Sequence, residues 1–269
     1  MSLRINTNVE AFNAHRQLTG TSDKLGKSME RLSSGYRINR AADDAAGLAI
    51  TEKLRGQITG LEQAQRNGQD AISLVQTAEG SLTEVHAMLQ RVRELAVQYK
   101  NGSLSTSDRL AIQSEVNMLA SEVERIGSTA QFNGIQLLNI QQTISFQVGA
   151  QDGEIITVST ISLGNSVPGT VYALTANGTG DISEIDVDID AMSAQRAQCG
   201  AVQNRLDHTL KNLAVYQENL QASESRIRDV DMASEMVNFT KLQILQQSGT
   251  AMLAQANQLP QSVLQLLQG

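Results

Sequence analysis

Apolar residues recur along this chain at spacings of three and four, over stretches far longer than an ordinary globular helix. From Leu54 they run Leu54, Ile58, Leu61, then past Gln65 to Gly68, Ile72 and Val75. After one skipped step they continue as Ala78, Leu82, Val85, Leu89, Val92 and Ala96. These positions share one helical stripe, the seam of a coiled-coil-like bundle. The pattern predicts a helix from about Asp43 to Tyr99, roughly 85 Å long at about 1.5 Å per residue. Asn101-Gly102-Ser103 then ends it with turn chemistry. Ser105 to Asp108 supply N-cap candidates for a second helix, whose stripe is Ile112, Val116, Leu119, Val123 and Ile126. Phe132-Asn133-Gly134 closes this part as a turn.

From Ile144 to about Thr175 the period changes. Alternation in Ile144-Ser145-Phe146-Gln147-Val148 and in Ile155-Ile156-Thr157-Val158 flanks the turn-rich stretch Gly149 to Gly153, which reads as a β-hairpin. The polar run Asn177-Gly178-Thr179-Gly180 is the expected exposed tip. Helix resumes near Ile182, with an apolar column at every seventh residue: Ile185, Met192, Cys199, Leu206, Leu213, Leu220 and Ile227. Past about Asp231 the register shifts to Leu245, Gly249, Met252, Ala256, Leu259, Val263 and Leu266. Small residues here let two backbones approach, and Pro260 inside the stripe predicts a kink. At the other end Ile5, Val9 and Phe12, then Leu25, Met29 and Leu32, form weaker stripes. The expected architecture is mainly α: amphipathic helices at 1–42 and 231–269 are able to pair as a two-helix hairpin. Residues 43–230 form a long coiled-coil-like bundle with the hairpin at about 140–181.

An apolar stripe must be buried. The central segments can bury theirs against one another, whereas two paired terminal helices leave much of theirs wet. Covering the stripe from Leu245 to Leu266 is a substantial driving force, at roughly 1.5 to 3 kcal/mol per large aliphatic side chain. Short isolated helices are marginal in water. The terminal segments are therefore expected to order against neighbouring copies, which gives a filament built from heterologous contacts.

Composition narrows the chemistry. Of 269 residues 41% are hydrophobic but only 3% aromatic, with no Trp and two Pro, so the cores are aliphatic and helices run unbroken. The net charge of −7 favours neither a nucleic-acid backbone nor an anionic membrane; partners are expected to be proteins. No run approaches the roughly 20 apolar residues of a membrane span, and the N-terminal residues hold no stretch of signal-peptide length. The single Cys199 excludes an intramolecular disulfide and reads as a small buried residue of the seam. His15, His86 and His208 lie far apart with no H-E-x-x-H spacing. Asp186, Asp188 and Asp190 suggest a calcium loop, but Ala191 and Ala197 stand where an EF-hand needs Gly and Glu. Acidic residues near a helix start complement its dipole. No cofactor and no catalytic constellation are expected, so the chain does not read as an enzyme.

Several long motifs carry a family resemblance. Ser33-Ser34-Gly35-Tyr36-Arg37-Ile38-Asn39-Arg40-Ala41-Ala42-Asp43-Asp44-Ala45-Ala46-Gly47-Leu48-Ala49-Ile50 resembles the N-terminal signature of bacterial flagellins, as do Leu89 to Gln98 and Gln131-Phe132-Asn133-Gly134. Ala222 to Ala233 and Ala254 to Gln261 resemble the C-terminal signature. The resemblance covers about residues 1–140 and 182–269, and the short middle leaves no room for large central domains. It implies that the terminal helices form the inner tube of a filament used for swimming. Polymerisation would then rest on Ile5, Val9, Phe12, Leu25, Met29, Leu32, Leu245, Gly249, Met252, Ala256, Leu259, Val263 and Leu266. It implies type III export without signal cleavage, an extracellular location, and flagellar partners: an export chaperone on the C-terminal region, and cap and junction proteins. It also implies recognition by the vertebrate Toll-like receptor for flagellin through Gln90, Arg91, Leu95 and Glu115. Other readings are a hook–filament junction protein and, from a different class, a secreted coiled-coil effector.

Overall fold

The computed structural model describes residues 8–160, 163, 172, 174–175 and 181–267, the side chains of 259–267 excepted. Among the described residues, five helices run over Val9–Ser34 (α1), Ala45–Tyr99 (α2), Thr106–Thr129 (α3), Asp181–Arg228 (α4) and Met232–Leu267 (α5). Two small antiparallel pairs lie between α3 and α4: Gln131–Phe132 (β1) with Ile135–Gln136 (β2), and Thr143–Gln147 (β3) with Ile155–Ser159 (β4). The tip at 177–180 lies outside the described residues.

The helix bounds follow from local chemistry. Asn8 caps α1, its side chain accepting from the Ala11 N–H, and Gly35 ends it in the left-handed conformation at φ 75°. Ser105 and Asp108 form a reciprocal capping box at the start of α3. Asp231 caps α5, accepting from Ala233 and Ser234. The β1–β2 turn places Asn133 at φ 48° and Gly134 at φ 80°, the pairing that a two-residue hairpin demands. At the other end α5 continues through Pro260 to Leu267.

The chain divides into two compact units. Residues 57–218 form the bundle. Its core is the predicted α2 seam: Leu61, Val75, Leu82, Val85, Leu89 and Val92 are all essentially sealed from solvent. The α4 column meets it, with Ile185, Met192 and Leu206 fully buried, Leu213 nearly so and Cys199 half-buried. From α3, Ile112, Val116 and Val123 close the third side. The hairpin lays Ile156 and Val158 on this core while Ile155 faces out, and Asn67 donates to the Gln147 carbonyl at 3.0 Å. Gly68 belongs to the seam because a Cβ there would stand 2.7 Å from Leu210 Cδ2.

Residues 1–56 with 219–269 form the terminal unit. Its boundaries fall inside α2 and α4, so the first turns of α2 and the last turns of α4 cluster with α1 and α5.

Candidate functional site

In the terminal unit α1 and α5 pair antiparallel: Asn8 Nδ2 donates to the Ala256 carbonyl at 2.7 Å, and Ser28 Oγ donates to Glu235 Oε1 at 2.5 Å. Ser28 and Glu235 are both buried, so this polar contact fixes the register of an otherwise aliphatic seam. Leu18, Leu25 and Leu32 turn towards it from α1. From α5 comes a seven-residue column, Glu235, Leu242, Gly249 and Ala256. Gly249 permits the close approach, since a Cβ there would meet Leu18 Cδ1 at 3.3 Å.

The residues expected to drive polymerisation therefore divide. Leu25, Leu32, Gly249 and Ala256 sit in the seam within one chain. Val9, Phe12, Met29, Leu245 and Met252 are exposed, Phe12 to 73%. Ile5 and the side chains of Leu259, Val263 and Leu266 lie outside the described residues. The expected α5 stripe mixes the two sets because this helix is apolar on both faces. Met236, Val237 and Ile244, which the sequence reading passed over, point outward with Leu245 and Met252. A column test of the kind that works on α4 finds the inner face; Glu235, polar at its head, hides it from a search for apolar residues.

Between α1 and α2, the signature stretch from Gly35 to Gly47 has a structural role that its sequence alone did not disclose. Tyr36 forms an isolated antiparallel bridge with Asp229. The Arg37 N–H donates to the Arg228 carbonyl at 2.7 Å, and Val230 N–H returns to the Gly35 carbonyl at 3.0 Å. Arg228 covers the Tyr36 ring at 4.8 Å and reaches Glu52 at 3.0 Å. Asp43 accepts from the Arg40 and Asn39 N–H groups, which hold its carboxyl below the ordinary value, with Lys27 3.9 Å away. Ile38 is buried beneath, and a Cβ on Gly47 would stand 2.7 Å from its Cδ1. The loop thus ties both chain halves of the terminal unit together through backbone contacts.

In the bundle, the residues expected to meet a receptor lie on and beside one face of α2. Arg91 donates to Glu115 of α3 through Nη2 at 2.9 Å and Nε at 3.1 Å, and to Glu94 at 3.2 Å. The Glu115 bond, then the Glu94 bond, raise its pKa. Gln90 is exposed and contacts His86 at 2.9 Å. Leu95, expected as a receptor contact with Arg91, is instead only 2% exposed and shares a core cluster with Val92, Ile112, Val116 and Ile185. One turn past Arg91 lands about 40° further round the helix, which carries Leu95 into the seam.

The acidic triplet on α4 is divided too. Asp186 pairs with Arg93 at 2.5 Å, while Asp188 is buried and accepts from the Tyr172 hydroxyl at 2.6 Å. Burial, opposed by this bond and aided by Glu184, raises the Asp188 pKa. Gln113 of α3 reads the same strap of chain with both ends of its amide, donating to the Tyr172 carbonyl at 2.7 Å and accepting from the Leu174 N–H at 2.9 Å.

Two family models match the chain, the bacterial flagellin N-terminal helical region over residues 5–143 and the C-terminal helical region over 182–267. A flagellin of Halalkalibacterium halodurans is 53% identical over 269 residues, covering 98% of this chain and 99% of its own length. A flagellin of Bacillus subtilis is 48% identical over 303 residues, covering 98% and 100%. The crystal structure of Bacillus cereus flagellin aligns with a TM-score of 0.51 at 31% identity, over 55% of this chain and 88% of that one.

Proposed function

The chain belongs to the bacterial flagellins, structural subunits of the flagellar filament, and we propose that its residues 1–42 and 231–269 form the inner tube. The observation that carries this is the outward face of α5. Val237 is 72% exposed, Met252 61% and Leu245 46%, on a helix whose opposite face is already packed against α1. A helix that carries apolar side chains on two faces needs a second partner to bury both. Here that partner is supplied by further copies. The exposed members of the polymerisation set, Val9, Phe12, Met29, Leu245 and Met252, meet neighbouring subunits. The inward members, Leu25, Leu32, Gly249 and Ala256, hold the α1–α5 pair that presents them. Residues 43–230 make the outer bundle.

The finer partners follow on the same footing. The filament is extracellular after export. Its subunit meets an export chaperone through the C-terminal region, and cap and junction proteins at the filament ends. It acts by assembly rather than as an enzyme. The host Toll-like receptor for flagellin meets Gln90, Arg91 and Glu115, with Leu95 beneath them holding α2 against α3.

Electron microscopy of seeded polymerisation tests the assignment. The full chain should give long tubes. A chain ending at Ile244 should give none, while its bundle keeps its helical signal. Tubes from the truncated chain would remove the inner-tube assignment. A short capping complex from the full chain would favour the junction protein, and no assembly the secreted effector.

A further inference from the structure

In the bundle Met192 is fully buried and Met88 packs against the same cluster, while Met118 on α3 is 70% exposed. In the terminal unit Met29, Met232, Met236 and Met252 are all between 48% and 61% exposed. A flexible apolar thioether usually fills a core gap or an adaptable contact surface. Two of the four lie on the outward side of α5. Met236 lines a shallow apolar cleft with Val237, Ile244 and Leu245, and Met252 stands at the rim of the groove between α1 and α5.

We propose that Met236 and Met252 are two peroxide-sensitive modification sites, open in the free subunit and closed by second copies of this chain. The inference rests on the reading that neighbouring subunits cover the outward face of α5. The thioether sulfur attacks one oxygen of hydrogen peroxide; the O–O bond breaks and an S–O bond forms. Sulfur loses two electrons, and the second peroxide oxygen leaves as water with both protons. The sulfoxide is polar and chiral where a soft apolar group stood. Its oxygen loses hydration when the face is covered: Val237, Ile244 and Leu245 offer it no side-chain donor, the Thr240 hydroxyl already donates to the Met236 carbonyl at 2.8 Å, and the Lys241 ammonium is the one charged donor lining the cleft. Oxidation therefore withdraws subunits from assembly, reduction of the sulfoxide returns them, and the filament protects what it has already covered.

The test exposes free subunits and seeded filaments to one dose of hydrogen peroxide and maps oxygen gain by peptide mass. In the free subunit Met236 and Met252 should be oxidised well before Met192. In filaments their oxidation should slow by about tenfold or more, and oxidised subunits should elongate seeds about tenfold or more slowly. Methionine sulfoxide reductases of both epimer specificities should restore elongation. A chain carrying Met236→Leu and Met252→Leu, compared with its own untreated sample, should keep most of its rate after peroxide. Equal oxidation in subunit and filament would overturn the proposal, as would normal elongation by oxidised subunits or an equal loss in the double variant. Should the double variant not assemble at all, filament protection and reductase rescue still decide. Failure of the untreated chain to elongate would instead remove the assembly reading, and this proposal with it.

Discussion

Arg91 reaches Glu115 across two helices and Glu94 one turn along its own, and its side chain is half exposed. Such surface pairs contribute about 0–1 kcal/mol, so a partner can take over the guanidinium at little cost. Arg91→Ala should weaken receptor binding by the free subunit by about 1–3 kcal/mol, without lowering the denaturation midpoint by more than that surface contribution. Leu95→Ala should instead destabilise the bundle by about 2–5 kcal/mol through the cavity it leaves. Denaturant titration beside receptor titration separates the two, and equal folding stability of both variants would show that Leu95 is not the buried support described. Cys199 gives a second test at this scale. It is half-buried on the α4 seam, and burial, with Glu79 adding to it, pushes its thiol pKa up. The thiol should react with a disulfide reagent far more slowly in the native subunit than in denaturant, because the thiolate is the attacking species. Both placements were legible in different degrees. The heptad column located Cys199, whereas the motif that singled out Leu95 carried no information on which way it faces.

The long helices α2 and α4 were readable because one apolar stripe dominates each, so spacing reports orientation. α5 was not, because it carries apolar residues on two faces and a stripe drawn along it slides from one to the other. The loop from Tyr36 to Asp44 was opaque for another reason: its fold depends on backbone bonds to Asp229, Arg228 and Val230, nearly two hundred residues away, which periodicity cannot register. The strap at Tyr172 and Leu174 was expected only as part of a β-rich stretch, yet Gln113 and Asp188 hold it to the bundle. Tyr172→Phe removes the one side-chain donor this carboxylate has among the described residues, and should cost about 1–3 kcal/mol. The Asp188 pKa is raised in the folded state, so its contribution is complete below the ordinary value of 3.8 and is lost as pH rises through the raised one. Asp188→Asn keeps an acceptor for Tyr172 without the charge. It should raise the thermal midpoint at neutral pH and flatten that part of the pH slope; an unchanged slope would mean that the carboxylate is not desolvated there.

At the scale of the whole molecule, the two units bury their apolar surface by different means. The bundle closes its seam within one chain, with Leu82, Val85, Leu89, Met192 and Leu206 all at zero exposure. The terminal unit leaves Phe12, Val237, Ile244 and Met252 wet, and under the proposed inner-tube assignment other copies complete its burial. Stability borrowed from a partner depends on association and is lost when association fails. Heating a filament should therefore release subunits before the bundle melts, and helical signal should fall in two steps, the first coinciding with loss of turbidity. Acid should act in the same order. Asp43 ties the α1–α2 loop through the Arg40 and Asn39 N–H groups, and its pKa is lowered from 3.8. The stability it contributes is present above that value and lost as pH falls through the depressed one. Asp43→Asn should remove part of the terminal unit's acid transition, while that of the bundle, where Asp108 is held low by Ser105, persists. Circular dichroism and light scattering followed together on one sample settle the matter. A single coincident loss of turbidity and of all helical signal would contradict a self-sufficient bundle joined to helices that need neighbours.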